Sequence, residues 1–261
     1  EIALEYKNVT FQYEEDDYTM FQDLSFAVEK GEFVSVIGAS GCGKSTLFRL
    51  INKLEKPDAG EILVNGKNIA SQSGYAGFMP QKDLLMPWRT IGKNLRLPME
   101  INKVPKKEQE EKSRELLRTM GLEEYYNKYP RELSGGMRQR VSFARTLLTG
   151  TELLLLDEPF SALDYFTRVS LQEWLLEQWK REKRTILFVT HDVEEALYLS
   201  QRVFVLHGRP VTRVESIEVP LSYPRTREQL EQPELLALKE ELIGQLRAEE
   251  NNESEEEKTS F

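Results

Sequence analysis

One cysteine, Cys42, is all the thiol this chain of 261 residues carries. A disulfide within the chain is therefore excluded, and the composition suits a reducing compartment. Long apolar runs are missing too. The longest, Leu153-Leu154-Leu155-Leu156, is the size of a strand, far below the ~20 residues that a membrane span needs. The first residues alternate through Ile2, Leu4 and Tyr6 and do not read as an export signal. No internal repeat and no sustained heptad pattern is present. Excess positive charge is also lacking. The formal net charge is −9, which argues against a protein whose main task is gripping nucleic acid. Much of that charge is local: residues 249–261 hold six Glu and one Lys, −5 of the −9. What remains, 39% hydrophobic and 30% charged, is ordinary for a protein with a sizeable core.

Apolar and polar residues alternate from Ile2 to Tyr13 and again from Phe21 to Val28, which predicts an antiparallel hairpin. Strand-like and helix-like stretches then take turns. Phe33–Ile37, Glu61–Val64, Tyr75–Pro80, Leu153–Asp157, Thr185–Thr190 and Arg202–Leu206 read as strands. Val169–Trp179 and Glu194–Leu199 read as helices. This alternation implies a mostly parallel sheet covered on both faces. The stretch 90–149, rich in Glu, Lys, Arg and Leu, reads as an inserted helical subdomain. The expected division is a core domain over 1–210, a strand and helix over 211–248, and a disordered acidic tail over 249–261.

Chemistry is concentrated first at Gly38-Ala39-Ser40-Gly41-Cys42-Gly43-Lys44-Ser45-Thr46. This fits G-x-x-x-x-G-K-[ST] between a strand and a helix, the phosphate-binding loop. Its glycines let the backbone curl so that N–H groups converge on an anion, and the helix that follows points its positive end the same way. Lys44 can reach the β- and γ-phosphates, and the Ser45 hydroxyl can ligate Mg²⁺. A second anion cradle stands at Leu133-Ser134-Gly135-Gly136, just before a helix. One nucleotide rarely needs two cradles, so Ser134, Gly135 and Gly136 are expected to complete the site on another copy of the chain. At the end of the apolar strand, Asp157 is suited to holding Mg²⁺ through water and Glu158 to deprotonating an attacking water. His191, at the end of the next strand, lies at the usual ligand edge of a parallel sheet and is expected to contact the γ-phosphate. His207 has no such context. Asp164, read alone, is a helix cap.

At these residues the chain resembles the ATP-binding subunit of ABC transporters. The phosphate loop, Leu-Ser-Gly-Gly at 133–136, the Leu-rich strand ending in Asp157-Glu158, Ser-Ala-Leu-Asp at 161–164 and His191 follow that family's order. The resemblance spans about residues 2–210. It implies a P-loop NTPase core with an N-terminal antiparallel β subdomain and an inserted helical subdomain. It also implies a homodimer sandwiching two ATP molecules, Gln81 touching Mg²⁺ and the water, Asp164 near the nucleotide, and Tyr13 stacked on adenine, with Tyr18 as rival. Leu84-Leu85 followed by Pro87-Trp88 is similar to importers of the nitrate, sulfonate and taurine type, a group that includes uptake systems for bicarbonate and for thiamine-precursor pyrimidines. By that likeness Lys82–Arg89 faces a permease at the cytoplasmic side of a membrane, with an extracytoplasmic binding protein delivering solute. Two other classes are weighed against it. A soluble ABC ATPase acting on DNA or ribosomes fits poorly with the acidic balance and the single phosphate loop. An exporter fits poorly with the Pro-Trp segment and the C-terminal extension.

Overall fold

The computed structural model describes residues 1–259, with side chains described through residue 250. The chain divides into two compact units, one formed by Glu1–Ser73 with Trp179 onward, the other by Gly74–Gln178.

The first unit opens with β1 (Ile2–Phe11) and β2 (Phe21–Glu29), paired antiparallel as the alternation requires. β3 (Phe33–Gly38) is buried along almost its whole length and runs into α1 (Lys44–Ile51). β4 (Ala59–Val64) and β5 (Lys67–Asn68) form a hairpin whose turn residues Asn65 and Gly66 both have positive φ, the geometry that matches strand twist. β1 lies between β2 and β4, and the Tyr6 hydroxyl donates to the Leu47 carbonyl of α1 at 2.7 Å.

The second unit holds β6 (Ala76–Met79), α2 (Ile91–Ile101), α3 (Lys106–Thr119), α4 (Gly135–Leu147), β7 (Leu153–Asp157) and most of α5 (Tyr165–Glu182). β6 and β7 are parallel, from Ala76 beside Leu153 to Met79 beside Leu156. Helices α2 to α4 fall inside the 90–149 stretch. α5 starts at Tyr165, earlier than the apolar spacing implies, because Asp164 accepts a hydrogen bond from the Thr167 N–H at 3.1 Å and caps the first turn.

The chain then returns to the first unit with β8 (Thr185–Val189), α6 (Val193–Leu199), β9 (Arg202–Leu206), β10 (Val214–Glu218) and α7 (Pro233–Thr259). β3 sits between β8 and β9, parallel to both, and β10 adds antiparallel to β9. Leu235 and Leu242 of α7 are buried on a cluster with Val193, Ala196, Leu197, Val203 and Val205. Each such side chain contributes roughly 1.5–3 kcal/mol by burial. Leu235 and Leu242 thus belong to the first unit's core.

Where the sequence implies a disordered tail from Glu249, the backbone is helical through Thr259. A helix already nucleated and packed extends without the nucleation cost, and Glu and Lys are good helix formers. Glu249 itself lies 2.5 Å from Nδ1 of His207, whose Nε2 faces Glu215 at 2.7 Å. Ser260 and Phe261, the last residues of that expected tail, lie outside the described residues.

Candidate functional site

In the first unit, the phosphate loop begins where β3 ends, with Gly38 level with Leu206 of β9. Two backbone demands explain its glycines. Gly41 and Gly43 have φ of +77° and +102°, in the left-handed region that side chains disfavour. A Cβ on Gly43 would also come 2.8 Å from the Phe21 ring. Gly43 caps α1, whose N–H groups then face the loop. The Lys44 ammonium donates to the carbonyls of Gly38 at 2.8 Å and Ala39 at 2.7 Å, inside the curl. Ser40 and Ser45 are exposed and Lys44 is half-buried, while Cys42 and Thr46 are buried. The Tyr13 hydroxyl is 3.0 Å from the Thr46 hydroxyl, so the aromatic assigned to adenine lies against the loop's last residue. Tyr18 is exposed, with Arg209 over its ring at 5.7 Å. His191 follows β8, exposed, on the turn that leads into α6.

In the second unit, the parallel pair β6 and β7 delivers Gln81 and Glu158 to the same edge. Gln81 Nε2 lies 3.3 Å from Glu158 Oε2. Asp157, at the end of β7, is buried, whereas Glu158 takes a left-handed φ of +49°. Three donors hold the Glu158 carbonyl: Gln139 Nε2 at 2.9 Å, the Ser161 hydroxyl at 3.1 Å and the Ser161 N–H at 3.3 Å. Gln139 carries no signal in the sequence reading. Its other amide atom accepts from the Ala162 N–H at 2.8 Å, so one buried side chain fixes both sides of the bend after β7.

Ser134 caps α4, accepting from the Met137 N–H at 3.3 Å. Gly136 is a steric requirement, since a Cβ there would meet the Ala162 carbonyl at 2.9 Å. Gly135 lines a cavity of about 480 Å³ together with Gln81, Asp83, Arg138, Gln139 and Ser161. The carboxyl of Asp164 is held below the usual carboxylate range by hydrogen bonds from the Thr167 hydroxyl and N–H.

The segment after Gln81 is fixed from below and exposed above. Buried Asn94 accepts from the Met86 N–H at 2.7 Å and donates to the carbonyls of Met86, Arg89 and Thr90, each at 3.1 Å. Arg145 reaches the carbonyls of Asp83 and Leu84, both at 2.9 Å, and Arg138 pairs with Asp83 at 3.0 Å. On the outer side Trp88 is 73% and Leu84 62% exposed.

The donors assigned to Mg²⁺ are the Ser45 hydroxyl, the Gln81 amide and the Asp157 carboxylate. All are hard oxygens with a single carboxylate among them, which suits an ion that usually binds through one or two carboxylates plus substrate phosphates. Among the described residues, no cluster of three or more His, Cys, Asp or Glu could hold a metal by itself. Among the described residues, also, no helix is long and apolar enough to cross a membrane.

Comparison with known proteins meets this geometry. Residues 21–161 match the family described as ABC transporter. The formylaminopyrimidine import ATP-binding protein ThiZ of Halalkalibacterium halodurans is 44% identical over 231 residues, 88% of this chain and 90% of that protein. The aliphatic sulfonates import ATP-binding protein SsuB of Bacillus thuringiensis is 43% identical over 208 residues, 80% of this chain and 82% of that protein. A dimeric ATP-binding cassette in a post-hydrolysis state, bound to ADP and Pi, superposes with a TM-score of 0.75 at 28% identity, covering 84% of this chain and all of that one. The chain belongs to the ABC transporter family, as one of its ATP-binding, ATP-hydrolysing subunits.

Proposed function

We propose that this chain is the energy-coupling subunit of a binding-protein-dependent importer for a small anion or small organic solute. The observation that carries the catalytic half is the pairing of Gln81 with Glu158 at 3.3 Å, on a Glu158 backbone held by three donors. A carboxylate so fixed is preorganised to accept a proton from water, and the neighbouring amide to orient that water. Lys44 and the N–H groups at the start of α1 hold the phosphates, and the Tyr13 ring takes adenine. His191 contacts the γ-phosphate, where charge builds as the bond to the leaving group breaks. Mg²⁺ on Ser45, Gln81 and Asp157 would supply further positive charge to the phosphates. Ser134, Gly135 and Gly136 serve the nucleotide held by a second copy, and Asp164 lies near the nucleotide, so that ATP is shared by a homodimer, as the dimeric cassettes similar to this chain support.

Coupling to a permease at the cytoplasmic membrane face is assigned to Lys82–Arg89. Exposed Trp88 and Leu84, on a backbone pinned by Asn94 and Arg145, make a firm apolar platform for a permease helix. For the solute two readings stand, and both have support in relatives: a sulfonate-type anion and a formylaminopyrimidine-type precursor. The second has the longer match. The deciding experiment is copurification of this subunit with its permease and binding protein, followed by ATPase assays with each solute class. Stimulation by one class identifies the cargo. Failure to recover any multi-span partner would overturn the importer reading.

A further inference from the structure

The turn that carries His191 is closed by a ring of hydrogen bonds in which Glu195 has no assigned task. Thr190, the residue before His191, is buried, and its N–H donates to the Val36 carbonyl of β3 at 3.3 Å. Its hydroxyl accepts from the Asp192 N–H at 3.1 Å and donates to Oε2 of Glu195 at 2.5 Å. Asp192 in turn accepts from the N–H groups of Glu194 at 2.9 Å and Glu195 at 3.2 Å. Both neighbours of His191 are thus fixed, while the histidine itself is left exposed. A carboxylate taken from water costs free energy unless it is well hydrogen-bonded, and an apolar side chain in its place would carry no such cost. Burial of Glu195 is accounted for if the return is a fixed turn.

Helix α6, which carries Glu195, is itself held from outside. At its far end Arg225, a buried side chain, donates to the carbonyls of Leu197 at 3.2 Å and Ser200 at 2.5 Å. Along its flank Lys239 of α7 pairs with Glu194 at 2.5 Å, and Leu235 and Leu242 of α7 share its apolar cluster. The residues after Pro210 therefore set where α6 lies, and α6 sets the turn.

We propose that Glu195 is a positioning residue for His191, acting through the Thr190 hydroxyl, with the C-terminal segment backing α6. The inference rests on the reading of His191 as a γ-phosphate contact.

The test uses the full chain. Glu195→Met fills the volume without an acceptor, and Thr190→Val removes the hydroxyl. Glu195→Gln and Thr190→Ser keep the hydrogen bond. We expect E195M and T190V to behave alike: kcat falls by roughly 10–100-fold while KM for ATP stays within about twofold. The two conservative variants should restore most of the turnover. In a His191→Ala background, E195M and T190V should lower turnover no further. Wild-type kcat in both E195M and T190V would overturn the proposal. So would a loss that follows melting temperature and ATP affinity, or one that persists undiminished without His191. Should His191→Ala alone keep full turnover, the underlying reading of His191 fails instead. If E195M does not fold, T190V and T190S decide the question by themselves.

Discussion

The side-chain amide of Gln139, in the second turn of α4, donates to the backbone carbonyl of Glu158 over 2.9 Å and is buried as it does so. A non-glycine residue at the φ of Glu158 persists only where its surroundings hold it, at a cost on the order of 1–3 kcal/mol. Gln139 is a large part of that hold. We expect Gln139→Leu to lower kcat by roughly 10–100-fold, because the carboxylate is then poorly aimed. Affinity for ATP should change little, since the phosphate loop is built from other residues. Steady-state kinetics beside equilibrium binding of a fluorescent ATP analogue checks both halves; an unchanged kcat would remove Gln139 from the account.

Glu158→Gln keeps the shape and the contact with Gln81 but cannot accept the proton. Hydrolysis should fall by about 10²–10⁴-fold while ATP still binds. With the chemical step blocked, ATP should also hold two copies together, which size-exclusion chromatography with and without ATP reads directly. Near-normal turnover in this variant would mean that another group activates the water.

Parts of this design are legible in the sequence because they are contiguous. The phosphate loop is nine consecutive residues, and the buried β7 announces itself as four leucines before Asp157-Glu158. Gln139 and Glu195 are not legible in the same way. Their partners lie 19 residues away, at Glu158, and five residues away, at Thr190. A polar residue on a helix looks like a solvated face until folding shows it buried. The start of α5 is obscured for a related reason: Asp164 reads as a nucleotide neighbour by family likeness and as a cap by chemistry, and here its carboxylate caps. Continuation of α7 past Glu249 is hidden because charge density argues for disorder, whereas helix propagation depends on what precedes the charged run.

Cys42 is 1% exposed, and its sulfur lies where a Cβ on Gly38 would come within 2.6 Å. Buried thiols are slow to react, so alkylation of the native chain should lag far behind that of the unfolded chain. Each molecule that is labelled should lose ATP binding, because the adduct has no room in the closed loop, and ATP should slow labelling further. Mass spectrometry of maleimide adducts over time, read beside ATPase activity, tests this. Full activity at complete modification would contradict the loop geometry.

The C-terminal segment yields to two truncations that separate its parts. Ending the chain after Ala248 removes Glu249 and its contact with His207, but His207 keeps Glu215 at 2.7 Å and the apolar contacts of α7 remain. A partly exposed polar contact of this kind is worth about 0–1 kcal/mol, so melting temperature and ATPase activity should stay close to those of the full chain. Ending it after Pro210 is another matter. It strips β10 from the edge of β9, removes Arg225 from the end of α6, and uncovers the cluster that Leu235 and Leu242 complete. Because that deletion removes too much to interpret alone, Leu242→Ala is the sharper probe. Leu242 is wholly buried, and truncating such a side chain costs about 2–5 kcal/mol. We expect Leu242→Ala to lower the melting temperature by several degrees and to reduce ATPase activity at higher temperatures first. Thermal melts of the full chain, the shorter truncation and Leu242→Ala order the three. If Leu242→Ala melted with the full chain while the truncation after Ala248 abolished activity, the acidic end of α7 would be the functional part and the packed part dispensable, the reverse of what this core requires.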